Sequence, residues 1–211
     1  MMPSHLTTGV FCTLRILCFS YLKRGFMALT YTPPGQIGSP CPPFSLKDTS
    51  NAVYDHNSLV GKKASLIMFI CNHCPYVKAI EDRLIMLAQE MLSLGVAVLA
   101  ISSNDTLAYP EDSLEHMRLR SEQKKYPFPY LFDADQSVAK AFDAVCTPDF
   151  FVYDENLLLS YRGRLDDSWK DAKNVTRHEL RHALLQLLDN KDVPLTQYPS
   201  MGCSIKWKNT Y

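Results

Sequence analysis

The chain has 211 residues, 46% of them hydrophobic and 21% charged, and its Lys+Arg total of 22 is matched by Asp+Glu 22. This length suits one domain with extensions, and such a composition buries a core without disulfide staples. Zero net charge supplies no electrostatic footprint for nucleic acid or an anionic membrane surface, so neither is expected as a partner.

In chain order, residues 1–26 come first. The run from Gly9 to Leu22 is fairly apolar but interrupted by Arg15, and it is shorter than the roughly 20 apolar residues that span a bilayer. Its positive charges, Lys23 and Arg24, follow the apolar run, the reverse of a signal peptide. Met27 therefore reads as the start, with 1–26 a start-site extension and no membrane span; a weak anchor or export signal is the alternative. A cytoplasmic location goes with the first reading, a periplasmic or membrane-attached one with the second.

A proline-rich extended lead-in follows from Thr32. Phe44–Leu46 and Ala52–Tyr54 then predict a small hairpin around the turn cluster Asp48–Asn51. Ala64–Ile70 has no polar residue after Ser65, which predicts a strand buried on both faces. From Pro75 to about Leu94 apolar residues recur at helical spacing (Val77, Ile80, Leu84, Leu87, Met91), and Gly95 ends the helix. Val96–Ser102 predicts a second buried strand, giving a strand–helix–strand parallel unit. Further elements are a charged helix over Glu111–Lys125, with Ser113 as the alternative start, a short strand at Tyr130–Phe132 and a short helix over Ser137–Phe142. Then come a hairpin of Phe150–Tyr153 with Leu157–Arg162, a helix over Val175–Leu188 and an irregular tail. The expected division is an extension (1–26), a domain (32–190) and a docked tail (191–211).

The chemistry concentrates at Cys71-Asn72-His73-Cys74-Pro75, where the first buried strand stops and the long helix starts. Unpaired N–H groups and the helix dipole favour a thiolate there, and His73 can add a charge or a hydrogen bond to the same sulfur. Such surroundings lower a cysteine from about 8.5 to roughly 3.5–7.5. Cys71 is the expected nucleophile and Cys74, one turn in, the resolving thiol. Seven cysteines, an odd number, suit a reducing compartment with one working pair better than a stapled secreted domain. A zinc site would need two more ligands at recognisable spacing, and none is present. His178 and His182 share a helix with Arg177, Glu179 and Arg181 and read as a solvated face, so no metal or other cofactor is expected.

Strand, C-x-x-C and helix, followed much later by Cys146-Thr147-Pro148-Asp149-Phe150-Phe151-Val152-Tyr153, resemble the thioredoxin superfamily. The stretches Cys71–Glu81 and Tyr161–Ser168 resemble, more narrowly, the alkyl hydroperoxide reductase/thiol-specific antioxidant (AhpC/TSA) branch of redoxin-domain proteins, over roughly Thr32 to Trp207. The resemblance implies an α/β thioredoxin-like fold: a central mixed β-sheet flanked by helices, with an N-terminal hairpin and an irregular C-terminal tail. It also implies a cis-proline at Pro148 beside the dithiol, keeping metal off the cysteines, and a backbone at Thr147 that pairs with substrate.

Peroxidases of this group carry a proline and a threonine shortly before the reacting cysteine, whereas Leu66–Ile70 supplies neither. Thiol–disulfide exchange with protein or small-thiol partners, recharged by an upstream thiol reductant, is therefore the leading expectation. Peroxide reduction through Cys71 is the first alternative, and a metal- or copper-binding module using Cys71, Cys74 and a histidine the second. Cys146, two residues before Pro148, is either a third redox thiol or a buried hydrophobe. Cys203 is either incidental or carried to the site by a tail folded over it. Asp166 and Asp167 read as turn-capping residues.

Overall fold

A computed structural model of the protein describes residues 29–209. The expectations for 1–26 lie outside the described residues. Among the described residues no helix is long and apolar enough to cross a membrane.

The first buried strand, β4 (Ala64–Phe69), is buried at every position. It pairs in parallel with β5 (Ala97–Ser102) and antiparallel with β8 (Asp149–Asp154), so the sheet is mixed. Strands β6 (Tyr130–Phe132), β9 (Leu159–Gly163) and the hairpin β2 (Ser45–Asp48)/β3 (Val53–Asp55) complete seven strands in the order β3-β2-β6-β5-β4-β8-β9. The hairpin turns where the Asp48 carboxylate accepts from the N–H groups of Ser50 and Ala52 at 2.8 and 2.9 Å, an Asx turn.

The pleat sends alternate residues to two cores. Leu66 and Met68 of β4, with Val98 and Ala100 of β5, pack under helices α1 (Pro75–Ser93) and α4 (Glu179–Leu188). Ile67 and Phe69 face the other way, into a cluster around Phe142, Phe151 and Leu59. Phe142 meets Phe69 and Phe151 edge-on at 5.5 and 5.6 Å between centroids. With apolar residues needed on both faces, the run shows no alternation in sequence.

Helix α1 has Pro75 in its first turn, where a missing N–H costs nothing, and is stopped by Gly95 at φ 84°. Helix α2 (Leu114–Lys124) takes the later of the two expected starts, because Ser113 caps it and residues 110–112 form a separate 3-10 turn. Helix α4 also starts late: the Asp167 carboxylate takes the N–H groups of Thr176 and Arg177 at 2.8 and 3.1 Å, holding that segment out of the helix. Helix α3 (Ser137–Ala141) is short.

The tail is not irregular throughout. Met201–Ser204 forms strand β10, sandwiched antiparallel between β1 (Leu29–Tyr31) and β7 (Cys146–Thr147) in a second, three-stranded sheet. Polar residues dominate around it, so no hydrophobic period marks it. Its ends are tied by Ser200 Oγ donating to Pro148 O (2.7 Å) and by the N–H of Ile205 donating to Val145 O (2.9 Å).

Candidate active site

Strand β4 ends at Phe69, and the chain turns through Cys71, Asn72 and His73 into Cys74, which is the N-cap of α1. Both sulfurs are enclosed: Cys71 is 2% exposed and Cys74 0%. Facing them across the fold is the corner before β8, where the Thr147–Pro148 peptide bond is cis. Thr147 Oγ1 is 3.3 Å from Cys71 Sγ, and the Cys74 thiol has Thr147 O at 3.1 Å. Cys74 Sγ is also 3.0 Å from Cys203 Sγ. Cys146 turns away; its thiol donates to Pro148 O at 3.7 Å and burial pushes it well up. Cys41 is buried remote from this group, against Pro42 O.

His73 is clamped rather than free. Its Nδ1 is 2.5 Å from Asp112 Oδ2 and 3.8 Å from Cys71 Sγ, and its ring stacks on Tyr109 at 5.0 Å. Asp112, fully buried, also accepts from the N–H groups of Asn72 (2.8 Å) and His73 (3.2 Å) and from Asn104 Nδ2 (2.8 Å). Burial raises this carboxyl, but the donors from His73, Asn104 and Asn72 outweigh it and hold it below its ordinary value. Asp112 thus fixes the whole turn. It lies 39 residues from His73, and no spacing in the sequence links the two.

The electrostatics run opposite to the expectation for Cys71. Burial, its hydrogen bond to Cys74 and the Asp112 charge push the Cys71 thiol up, with the Thr147 hydroxyl opposing. Cys74 is held low, because Cys203 and Cys71 both hydrogen-bond to it and together outweigh its burial. Cys203 is correspondingly pushed up. The physical reason is that Cys74 lies between two thiols that hydrogen-bond to it, whereas Cys71 is buried beside the Asp112 charge. The three thiols interact, so these shifts belong to the set and not to any one sulfur.

Two expectations from sequence change accordingly. The backbone at Thr147, expected to pair with substrate, is already paired by the chain's own β10, with Cys203 opposite Thr147 and Ser204 opposite Cys146. A hydroxyl does reach Cys71, supplied by Thr147 from across the fold instead of by β4. Among the described residues Cys71 Sγ, His73 Nδ1 and Asp112 Oδ2 lie within 4.8 Å of one another, a donor set able to hold a metal ion, though it excludes Cys74. Asp166 forms an ion pair with Arg83 at 2.9 Å and accepts from the N–H of Ser168 at 3.1 Å. His182 lies against Gln186 on the exposed side of α4. Beside the cis-proline a cavity of about 250 Å³ is lined by Tyr76, Ile80, Pro148, Phe150 and Trp169 among others.

Comparison with known proteins agrees with this architecture. A protein from Geobacillus kaustophilus described as an uncharacterized conserved protein is 44% identical over 88% of this chain and 99% of its own, with a TM-score of 0.83. A hypothetical protein from Sinorhizobium meliloti is 41% identical over 86% of this chain and 100% of its own, at TM-score 0.82. A thiol:disulfide interchange protein of the thioredoxin family from Chlorobium tepidum is 17% identical over 74% of this chain and 99% of its own, at TM-score 0.56, and speaks for the thioredoxin-like fold alone. A search of curated proteins found no match. The AhpC/TSA family model matches residues 37–162, more than half of the chain, and the protein belongs to that family.

Proposed function

We propose that the protein is a thiol–disulfide oxidoreductase working through Cys71 and Cys74. The observation that carries this reading is the placement of both sulfurs against Thr147 of the cis Thr147–Pro148 corner, at 3.3 and 3.1 Å. Attack by Cys71 uses the microstate in which Cys71 is the thiolate and the proton sits on Cys74, whose thiol has Thr147 O at 3.1 Å. The Cys71 thiolate attacks one sulfur of a partner disulfide, and the other sulfur leaves as a thiolate that takes up a proton. Cys74 then loses its proton and attacks Cys71 Sγ; the Cys71–partner bond breaks and the second partner thiol departs. The chain is left oxidised as Cys71–Cys74, and an upstream dithiol returns two electrons and two protons. The steps reversed describe an oxidase, and the reduction potential of the couple sets the direction.

Both residues are enclosed, Cys71 at 2% and Cys74 at 0% exposure, so a partner sulfur reaches either only after the site opens. Because β10 covers the Thr147 backbone, a polypeptide partner could pair there only after β10 lifts. The test is insulin reduction by the dithiol-reduced protein. Activity is expected for the wild type and should vanish in Cys71→Ser; a Cys71→Ser chain that still reduces insulin would end the proposal.

Hydroperoxide reduction is the second reading, favoured by the Thr147 hydroxyl at 3.3 Å from Cys71 Sγ, where it could hydrogen-bond a peroxide oxygen. Cys71 would become a sulfenic acid and Cys74 would condense with it, releasing water and leaving the same disulfide. Peroxide consumption that collapses in Thr147→Val while insulin reduction survives would promote this reading over the first.

A further inference from the structure

The three-stranded sheet sets Thr147 of β7 against both dithiol sulfurs, and it is also built around a third thiol. We infer that Cys203 is a redox partner of Cys74, and that β10 is an internal stand-in for a substrate strand that delivers it. This rests on the dithiol reading above and extends it.

The geometry carries the inference in three ways. Cys203 Sγ is 3.0 Å from Cys74 Sγ, already in contact, and a disulfide at about 2.05 Å requires only a small further approach. The approach is enforced by backbone, since Cys203 stands opposite Thr147, which itself touches both dithiol sulfurs. Its neighbour Gly202 is the residue that lets the strands close: a Cβ there would lie 1.9 Å from Thr147 O and 2.5 Å from Thr147 C. Moreover the segment is locked beyond its own sheet, with the N–H of Lys206 donating to Asn104 Oδ1 at 2.8 Å and Gln136 Nε2 donating to Lys206 O at 2.8 Å. A tail that merely packed would not need a glycine at its tightest contact or a thiol at the central sulfur.

The exchange balances within the chain. Starting from the Cys71–Cys74 disulfide, Cys203 gives up its proton and attacks Cys74 Sγ. The Cys71–Cys74 bond breaks, Cys74–Cys203 forms, and Cys71 leaves as a thiolate that takes the proton. One disulfide is present before and after, so no outside oxidant or reductant enters this step. The outcome is an oxidised chain with Cys71 free to attack again, its oxidising equivalent held one sulfur deeper. Cys146 takes no part, because its thiol is committed to Pro148 O.

The experiment is disulfide mapping of the full chain equilibrated with oxidised glutathione, quenched in acid, blocked with N-ethylmaleimide and digested without reduction. The wild type is expected to yield both a Cys71–Cys74 and a Cys74–Cys203 peptide. Cys71→Ser should yield Cys74–Cys203 alone, and Cys203→Ala should yield Cys71–Cys74 alone, with circular dichroism confirming that each variant is folded. Absence of a Cys74–Cys203 peptide from the wild type overturns the inference even where insulin is reduced. Absence of Cys71–Cys74 together with absent insulin reduction would instead overturn the dithiol reading on which it rests.

Discussion

The turn from Cys71 to Cys74 and the corner where Thr147 meets Cys203 bring sulfurs into contact by different means. The turn is carried by β4, buried at every position, and by the 19-residue helix α1, so neighbouring chain holds it on both sides. The corner is made by strands of two and four residues, β7 and β10, with three-residue β1 on the far edge, and the partners come from opposite ends of the chain. The difference separates a candidate pair held by continuous chain from a third thiol held only by pairing between distant segments, and a polypeptide partner at Thr147 would require β10 to lift.

The comparison can be broken most forcefully at Gly202. Gly202→Ala places a Cβ against Thr147 backbone, and with overpacking of this kind it should cost about 1–3 kcal/mol. Thermal unfolding should show the loss, and Cys203 in the folded chain should react much faster with N-ethylmaleimide while Cys71 and Cys74 still form their disulfide. Equal Cys203 reactivity in wild type and variant would mean that the corner is as firm as the turn.

Asp112→Asn tests the turn. It removes the charge that raises Cys71 while an amide oxygen can still accept from the N–H groups of Asn72 and His73, so the pH profile of Cys71 alkylation should move to lower pH. The same residue sets an acid limit. Its carboxyl is held below its ordinary value, so its contribution to stability is in place above the unfolded value of 3.8 and is lost as pH falls through the lower folded value. Urea unfolding should show that acid limb weakened in Asp112→Asn. An unmoved alkylation profile would show that Asp112 acts on the turn by shape alone.

Thr147→Val deletes one hydrogen bond to Cys71 Sγ, worth about 0.5–1.5 kcal/mol, and should push the Cys71 thiol further up. Alkylation of Cys71 at fixed pH should slow accordingly; an unchanged rate would show that the hydroxyl does not stabilise the thiolate. The smallest effect is expected from Cys146→Ala, which should leave insulin reduction unchanged, since this thiol touches neither dithiol sulfur. A loss of activity without a loss of folding would make Cys146 part of the site.

Much of the dithiol side was legible in the residues. A strand without polar interruptions, a C-x-x-C, a proline in the first turn and a helical period to Met91 are local patterns, and the structure follows them within a residue or two. Pro148 was placed through family resemblance, and its peptide bond is cis. In sequence Asp112 reads as part of a charged helix, because the turn it holds lies 39 residues away. The hydroxyl near Cys71 comes not from β4 but from Thr147. Strand β10 escaped because its residues, Met201-Gly202-Cys203-Ser204, carry no alternation and form a strand only between two others.

By itself the sequence determined the candidate dithiol and its seat at a strand–helix junction, since these follow from hydrophobic period, capping and spacing within one continuous stretch, while the class of fold came through the family resemblance. The tertiary structure alone decided which sulfur is held low and what clamps His73. It also decided that Cys203, 129 residues beyond Cys74, meets it at 3.0 Å. Charge and contact depend on distance in space, and no pattern along the chain encodes that distance.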